Sequence, residues 1–322
     1  MSKWLLNRLF ETNDQPEPRF AFQGTVNWMR ALSLLVDDES FNDSGIRDFY
    51  QNTNRRTVNR EADTIVFETM LMAYHNQVAL NRFNEDPSHS YDICRSAIIA
   101  WYYSIYFTSS AMVAAASGSL QETHAHTAKT WQFDLVNNDL IMNPFSLSLS
   151  SLVSTKVDEE IAIYRQTNTY DLNDYVTSKE MASGAIISYL KGTARFEREK
   201  AENRVRNSRE FRELGVNNFR KKVARELRDS KLSNSGVNFL VQAFRYRGKA
   251  NYRDSIFLSY GDDNSEKINS FCGDLMRVSL AFQRMASVYL SKRVERGTWD
   301  LFIEDLELNS NLGISPNYLK SI

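Results

Sequence analysis

Residues 91–131, YDICRSAIIAWYYSIYFTSSAMVAAASGSLQETHAHTAKTW, constrain the fold of this chain more than any other stretch. Ile93, Ala97, Ala100, Trp101, Ser104, Ile105, Thr108, Met112 and Ala115 recur at steps of three and four, the period of one helix face. Ile98, Ile99, Tyr102, Tyr103 and Phe107 widen the stripe to nearly two-thirds of the circumference. A helix that apolar must be covered on most sides. Gly118 breaks it, and Thr123 is a natural N-cap for a second helix running to about Val136. The stretch therefore predicts the central helix of an all-α domain.

Composition agrees with that class. At 322 residues and 42% hydrophobic, the chain has ample material for a core, and only 12 Gly and 5 Pro favour helix over sheet. The 39 Lys and Arg nearly balance 40 Asp and Glu, so no global field draws the chain to nucleic acid or membrane. Cys94 and Cys272 both fall in apolar helical surroundings and read as buried reduced thiols rather than a disulfide or metal site. The start, MSKWLLNRLFETND, lacks a signal-peptide core, and the apolar run 97–117 is interrupted by Ser104, Thr108, Ser109 and Ser110. The expectation is a cytoplasmic protein with no membrane partner.

Taken in order, Trp4 to Phe10 reads as a short helix, and Phe20 to Val36 fits strand or helix equally. Residues 1–55 are expected to be an N-terminal extension packed on the main domain. A helix follows over 58–83, capped by Asn59 or Asp63. Asn137, Asn138 and the Asn143–Pro144 pair make a loop, and 153–176 shows no clean period. A long helix is predicted from Thr177 or Ser178 to about Leu214, stopped by Gly215. A charged helix comes next, then an apolar one opening at Ser233 or Asn234, and a last long helix from Glu266 to about Val294. The tail from 296 onward has room for a short helix at 299–306.

The order of several motifs resembles a known family. R-S-A-I-I-A-W-Y-Y-S-I-Y-F at 95–107 carries the pair Tyr102–Tyr103; E-T-H-A-H-T-A-K-T-W follows at 122–131, and Y-R-G-K-A-N-Y at 246–252. Together they are similar to the HEPN-like helical family, in its branch with a Tyr-Tyr pair, a Lys-Thr-His motif and Arg-x-x-Ala-Asp-Tyr. Thr123 and His124 occupy the Thr-His place; Arg247, Ala250, Asn251 and Tyr252 occupy the last motif, with Asn for Asp. The resemblance implies an up-and-down helical bundle over 56–295, often dimeric, with residues 140–232 as a large charged helical insertion where the family has a short connection. It also implies a prokaryotic defence or toxin–antitoxin setting, and a protein partner encoded in the same gene neighbourhood. Many members are metal-independent RNases using Arg, four to six residues, then His.

An Arg–His pair can cleave RNA without metal: the His handles the 2′-hydroxyl proton and the Arg steadies the phosphate. The only such spacing here is Arg82 to His89, which lies ahead of the central helix rather than at the matched place. Arg245, Arg247 and Arg253 have no His partner in sequence. His124 and His126, two residues apart on a helix, point away from each other and do not clasp one metal. His124, Arg247 and Tyr252 are the candidate catalytic residues; no cofactor loop and no metal site is expected.

The window 195–231 holds 13 cations against 7 acids, a positive segment in a neutral chain. Arg198, Arg204, Arg206, Arg209, Arg212, Lys221, Lys222 and Arg225 are the candidate nucleic-acid contacts, with Phe211 beside Arg198, Arg209 and Arg212 on one side. The plainer reading is a solvated helix laced with pairs such as Glu202–Arg206. Three functions compete. The first is an RNA- or nucleic-acid-binding HEPN-like protein, a homodimer or hetero-complex, without the usual RNase pair. The second is a metal-independent RNase with a rearranged site, for instance His124 with Arg247. The third is a non-enzymatic helical scaffold that docks another defence component.

Overall fold

The structure is a computed structural model that describes residue 4 and residues 18–85, 90–165, 175–251 and 265–320. Its elements are helical: α1 (Pro18–Val36), α2 (Asp43–Phe49), α3 (Arg60–Asn84), α4 (Ser90–Ser117), α5 (His124–Asp134), α6 (Ser154–Tyr164), α7 (Lys179–Arg206), α8 (Arg209–Glu213), α9 (Lys222–Leu232), α10 (Phe239–Asn251), α11 (Ser265–Asn269), α12 (Phe271–Arg293) and α13 (Thr298–Asn309). The described residues contain no strand, and the isolated pairing of Leu149 with Val237 is antiparallel. The all-α expectation is met. The helix expected over 4–10 lies, save Trp4, outside the described residues, as do His89, Tyr252 and Arg253.

α4 is the central helix. It packs on α3, α12, α10 and α5, and α1 packs on α7 and α12. Trp101 has no exposed surface and meets Trp28 of α1 edge-on, with ring centroids 5.8 Å apart. Tyr246 of α10 lies 5.4 Å from Trp101 and 4.8 Å from Trp28. The segment that fits strand or helix in sequence is thus a helix whose apolar face enters the main core. α4 is long and apolar enough to cross a membrane, but 78% of its most apolar window is buried inside the fold.

Local chemistry explains the ends of α4 and its neighbours. The Asn59 side chain accepts from the Ala62 N–H and caps α3. Gly118, at φ +80°, closes α4 with its N–H on the Ala114 carbonyl at 2.8 Å. Arg56, paired with Asp63, donates from Nη1 to that same carbonyl at 3.0 Å, a cation at the negative end of the helix. Inside the core, Gln283 Nε2 donates to Ser104 Oγ (2.7 Å) and to the Ala73 carbonyl (3.1 Å). The Tyr318 hydroxyl donates to Gln283 Oε1 at 2.6 Å. These bonds fix α3, α4 and α12 in one register.

Three boundaries differ from expectation. The helix predicted to Leu214 ends at Arg206; Ser208 accepts from the Phe211 N–H and starts the short α8. Phe211 is 3% exposed and does not stand beside Arg198, Arg209 and Arg212 on one charged face. It packs with Val205, Ala224 and Phe219, so the chain folds back to cover these apolar side chains in a second small core. The helix expected from Ser233 or Asn234 begins at Phe239, because Val237 is held extended against Leu149 and Asn238 accepts from the Val241 N–H. The last long helix is divided at Ser270 into α11 and α12.

Candidate functional site

Three helices converge on His124. α4 brings Tyr102, Tyr103 and Tyr106, α5 opens with His124, and α10 brings Phe244 and Arg247. Thr123 Oγ1 accepts from the His126 N–H at 3.2 Å and caps the first turn of α5, which fixes the imidazole's place. Asn238 Nδ2 donates to the Ala128 carbonyl at 2.8 Å and holds the start of α10 on α5. Tyr246 turns inward, 3% exposed, with its hydroxyl on the Thr25 carbonyl at 2.8 Å. Phe244 and Arg247, three residues apart, therefore share the other face of α10, above the α4 tyrosines.

The Tyr102 hydroxyl lies 2.7 Å from His124 Nδ1. The imidazole sits among rings, with centroids 4.2 Å from Tyr106 and 5.2 Å from Phe244. The Arg247 guanidinium lies over Tyr102 (5.4 Å to the centroid), Tyr103 (5.5 Å) and Phe244 (5.8 Å). Arg247 forms no ion pair among the described residues, and its buried Nε has no hydrogen-bond partner there. Burial first, and the Arg247 charge second, lower the His124 pKa from its ordinary 6.5, so the ring is neutral at neutral pH. Burial pushes the Tyr102 phenol far up, so it stays protonated.

The site is thus a neutral imidazole, a phenol and a guanidinium without an ion pair among the described residues, set in an aromatic wall. That set suits a phosphate oxygen, which accepts from N–H donors and needs a cation. His124 and Arg247, both singled out in the sequence, are brought together; Tyr252 lies outside the described residues. Tyr106, Phe244 and the hydroxyl of Tyr102 were missed as site groups. The signal was available in part: Tyr102 and Tyr106 are four apart on one helix face, but in an apolar stripe they read as core.

The basic segment forms a separate arm. The second half of α7, with α8 and α9, folds over the small core of Val205, Phe211 and Ala224. Its acids are used internally. Glu202 Oε1 lies 4.0 Å from Arg198 and 3.9 Å from Arg228, while Oε2 lies 3.7 Å from Arg206. Arg209 pairs with Glu213 at 2.6 Å and Lys222 with Glu226 at 3.8 Å. Arg204, Arg212, Lys221 and Arg225 are exposed and form no ion pair among the described residues. The eight candidate contacts therefore divide: Arg198, Arg206, Arg209 and Lys222 are tied into the arm, and the other four present open charge. At the root of the arm, Arg245 lies over Phe196, 4.3 Å from its centroid, and donates to Thr193 Oγ1 at 3.1 Å.

Among the described residues no three His, Cys, Asp or Glu side chains are grouped to hold a metal. Cys94 and Cys272 are buried and free, and burial pushes their thiols up to about 11 and about 12. The chain was compared with family models, curated proteins and solved structures, and none matches.

Proposed function

We infer that the chain binds RNA or another nucleic acid, as a HEPN-like protein of a defence or toxin–antitoxin type system, without robust cleavage. The observation that carries this reading is Arg247, a half-buried guanidinium with no carboxylate among the described residues, beside a neutral His124. A cation so placed calls for an anionic oxygen to complete it. The open charges of Arg204, Arg212, Lys221 and Arg225 supply a second, sequence-independent contact to the phosphate backbone. The HEPN-like assignment rests on the ordered motifs around Tyr102, His124 and Arg247, and a homodimer or a hetero-complex with a protein from the same gene neighbourhood follows from it.

A second reading, a metal-independent RNase, is favoured by the meeting of His124 and Arg247. The usual Arg-x-x-x-x-His spacing is absent there, but the fold supplies both groups from different helices. Labelled RNA incubated in a chelator with the parent and with His124→Ala separates the readings. The binding reading expects a shifted, intact RNA with both proteins. Metal-independent cleavage lost in His124→Ala would establish the RNase instead. Indifference of both proteins to labelled RNA and to labelled DNA would leave a helical scaffold.

A further inference from the structure

We propose that Tyr102 is the positioning residue of this site: its hydroxyl donates to Nδ1 of His124, holds the imidazole as the Nε2–H tautomer, and so turns His124 and Arg247 into a receptor for a phosphate group. The inference deepens the nucleic-acid reading by naming the ligand chemistry, and rests on that reading only for where the phosphate comes from.

Tyr102 is 3% exposed, and His124 Nδ1, at 2.7 Å, is its hydroxyl's polar partner among the described residues. If Nδ1 carried the proton and donated to the phenol oxygen, the buried phenolic hydrogen would have no acceptor there. Leaving a buried donor unmade is the costlier arrangement. The hydroxyl therefore donates, Nδ1 accepts, and the neutral ring keeps its proton on Nε2. The cation facing this ring, Arg247, opposes a second proton on it, and burial keeps the facing Tyr102 hydroxyl protonated.

The consequence is directional. Tyr106 and Phe244 cover the imidazole at 4.2 and 5.2 Å between centroids, so the ring does not swing freely. Its free edge offers one N–H donor, not a lone pair. Arg247, resting on Tyr102, Tyr103 and Phe244, supplies the charge beside it. A donor and a guanidinium together match the oxygens of a phosphate. Phe244, 42% exposed, offers a flat apolar surface for a nucleobase joined to that phosphate. A His124 that presents N–H is poorly placed to take the proton of a 2′-hydroxyl, which accords with binding in the absence of base catalysis.

The test uses the full-length protein with ¹⁵N-labelled histidine. The chain has only four histidines, so a long-range proton–nitrogen spectrum resolves them, and His124→Gln assigns the signal. At neutral pH His124 is expected to show a protonated Nε2 and an unprotonated Nδ1. Adenosine 5′-monophosphate should shift the Nε2 signal, with inorganic phosphate giving a weaker response. Tyr102→Phe, which keeps the ring and removes the hydroxyl, should mix the two tautomers and weaken the nucleotide response by roughly three- to tenfold. An Nδ1–H tautomer in the parent, or a Tyr102→Phe protein with unchanged circular dichroism, unchanged tautomer and unchanged nucleotide affinity, overturns the proposal. The two readings fail separately. A protein with the Nε2–H signal and the nucleotide shift that ignores both RNA and DNA keeps the inference and loses the proposed function. RNA binding with an Nδ1–H tautomer removes the inference alone.

Discussion

Arg247 lies over the ring of Tyr102, 5.4 Å from its centroid, while the Tyr102 hydroxyl reaches His124 Nδ1 at 2.7 Å. The arginine is thus coupled to the histidine through a shared tyrosine and through its charge. Replacing Arg247 with Met removes the charge and keeps most of the packing. The His124 titration midpoint should then rise toward 6.5 while remaining below it, because burial, the larger cause of the shift, persists. A midpoint unchanged in Arg247→Met, read from the histidine ring protons, would show that the two are not coupled.

The same shift gives a pH dependence of stability. His124 titrates below its ordinary value in the folded chain, so the unfolded chain binds the proton more readily. The contribution is complete above about 6.5 and is lost as pH falls through the lowered folded value. His124→Gln should show a shallower loss of melting temperature across that acid window than the parent. Identical profiles would mean that His124 carries no such linkage.

Trp101 is expected to dominate the core. It has no exposed surface and touches Trp28, Phe239 and Tyr246, which come from α1 and α10. Trp101→Ala should destabilise by about 3–5 kcal/mol in urea unfolding. A loss below about 1 kcal/mol would contradict the central place given to α4.

The arm is expected to melt by itself. Phe211 is the largest fully covered side chain of its small core, which shares no buried residue with the main one. Phe211→Ala should abolish amide-exchange protection across 205–232 and leave α4 and α12 protected. Equal loss in both regions would show that the arm and the main core unfold together.

How far this was legible varies from residue to residue. The α4 stripe, the Thr123 cap and the Gly118 stop follow from period and turn chemistry alone, and the structure shows each of them. The break after Arg206 was legible only in part: Asn207 and Ser208 are cap and turn formers, but two such residues inside an Arg- and Glu-rich run do not by themselves end a helix. The Ser208 cap and the need to cover Val205 and Phe211 together end the helix there. The start of α10 was hidden for a similar reason: the Leu149–Val237 pairing is long-range. At the site, His124 and Arg247 were legible through the HEPN-like motifs on which they fall. The role of Tyr102 was not, since a tyrosine in an apolar stripe shows nothing of where its hydroxyl will point.

In the proposed function, the open cations on the arm and the His124–Arg247 site together bind a nucleic-acid backbone. The most direct measurement is fluorescence anisotropy of a labelled single-stranded RNA across a salt series. The parent is compared with a variant carrying Arg204→Ala, Arg212→Ala, Lys221→Ala and Arg225→Ala, residues exposed and outside any ion pair among those described. Removing four phosphate contacts should weaken binding uniformly across sequences and flatten the slope of log affinity against log salt by about 3. Equal affinity and equal slope in the two proteins would show that the arm is a solvated helical surface and contradict the account.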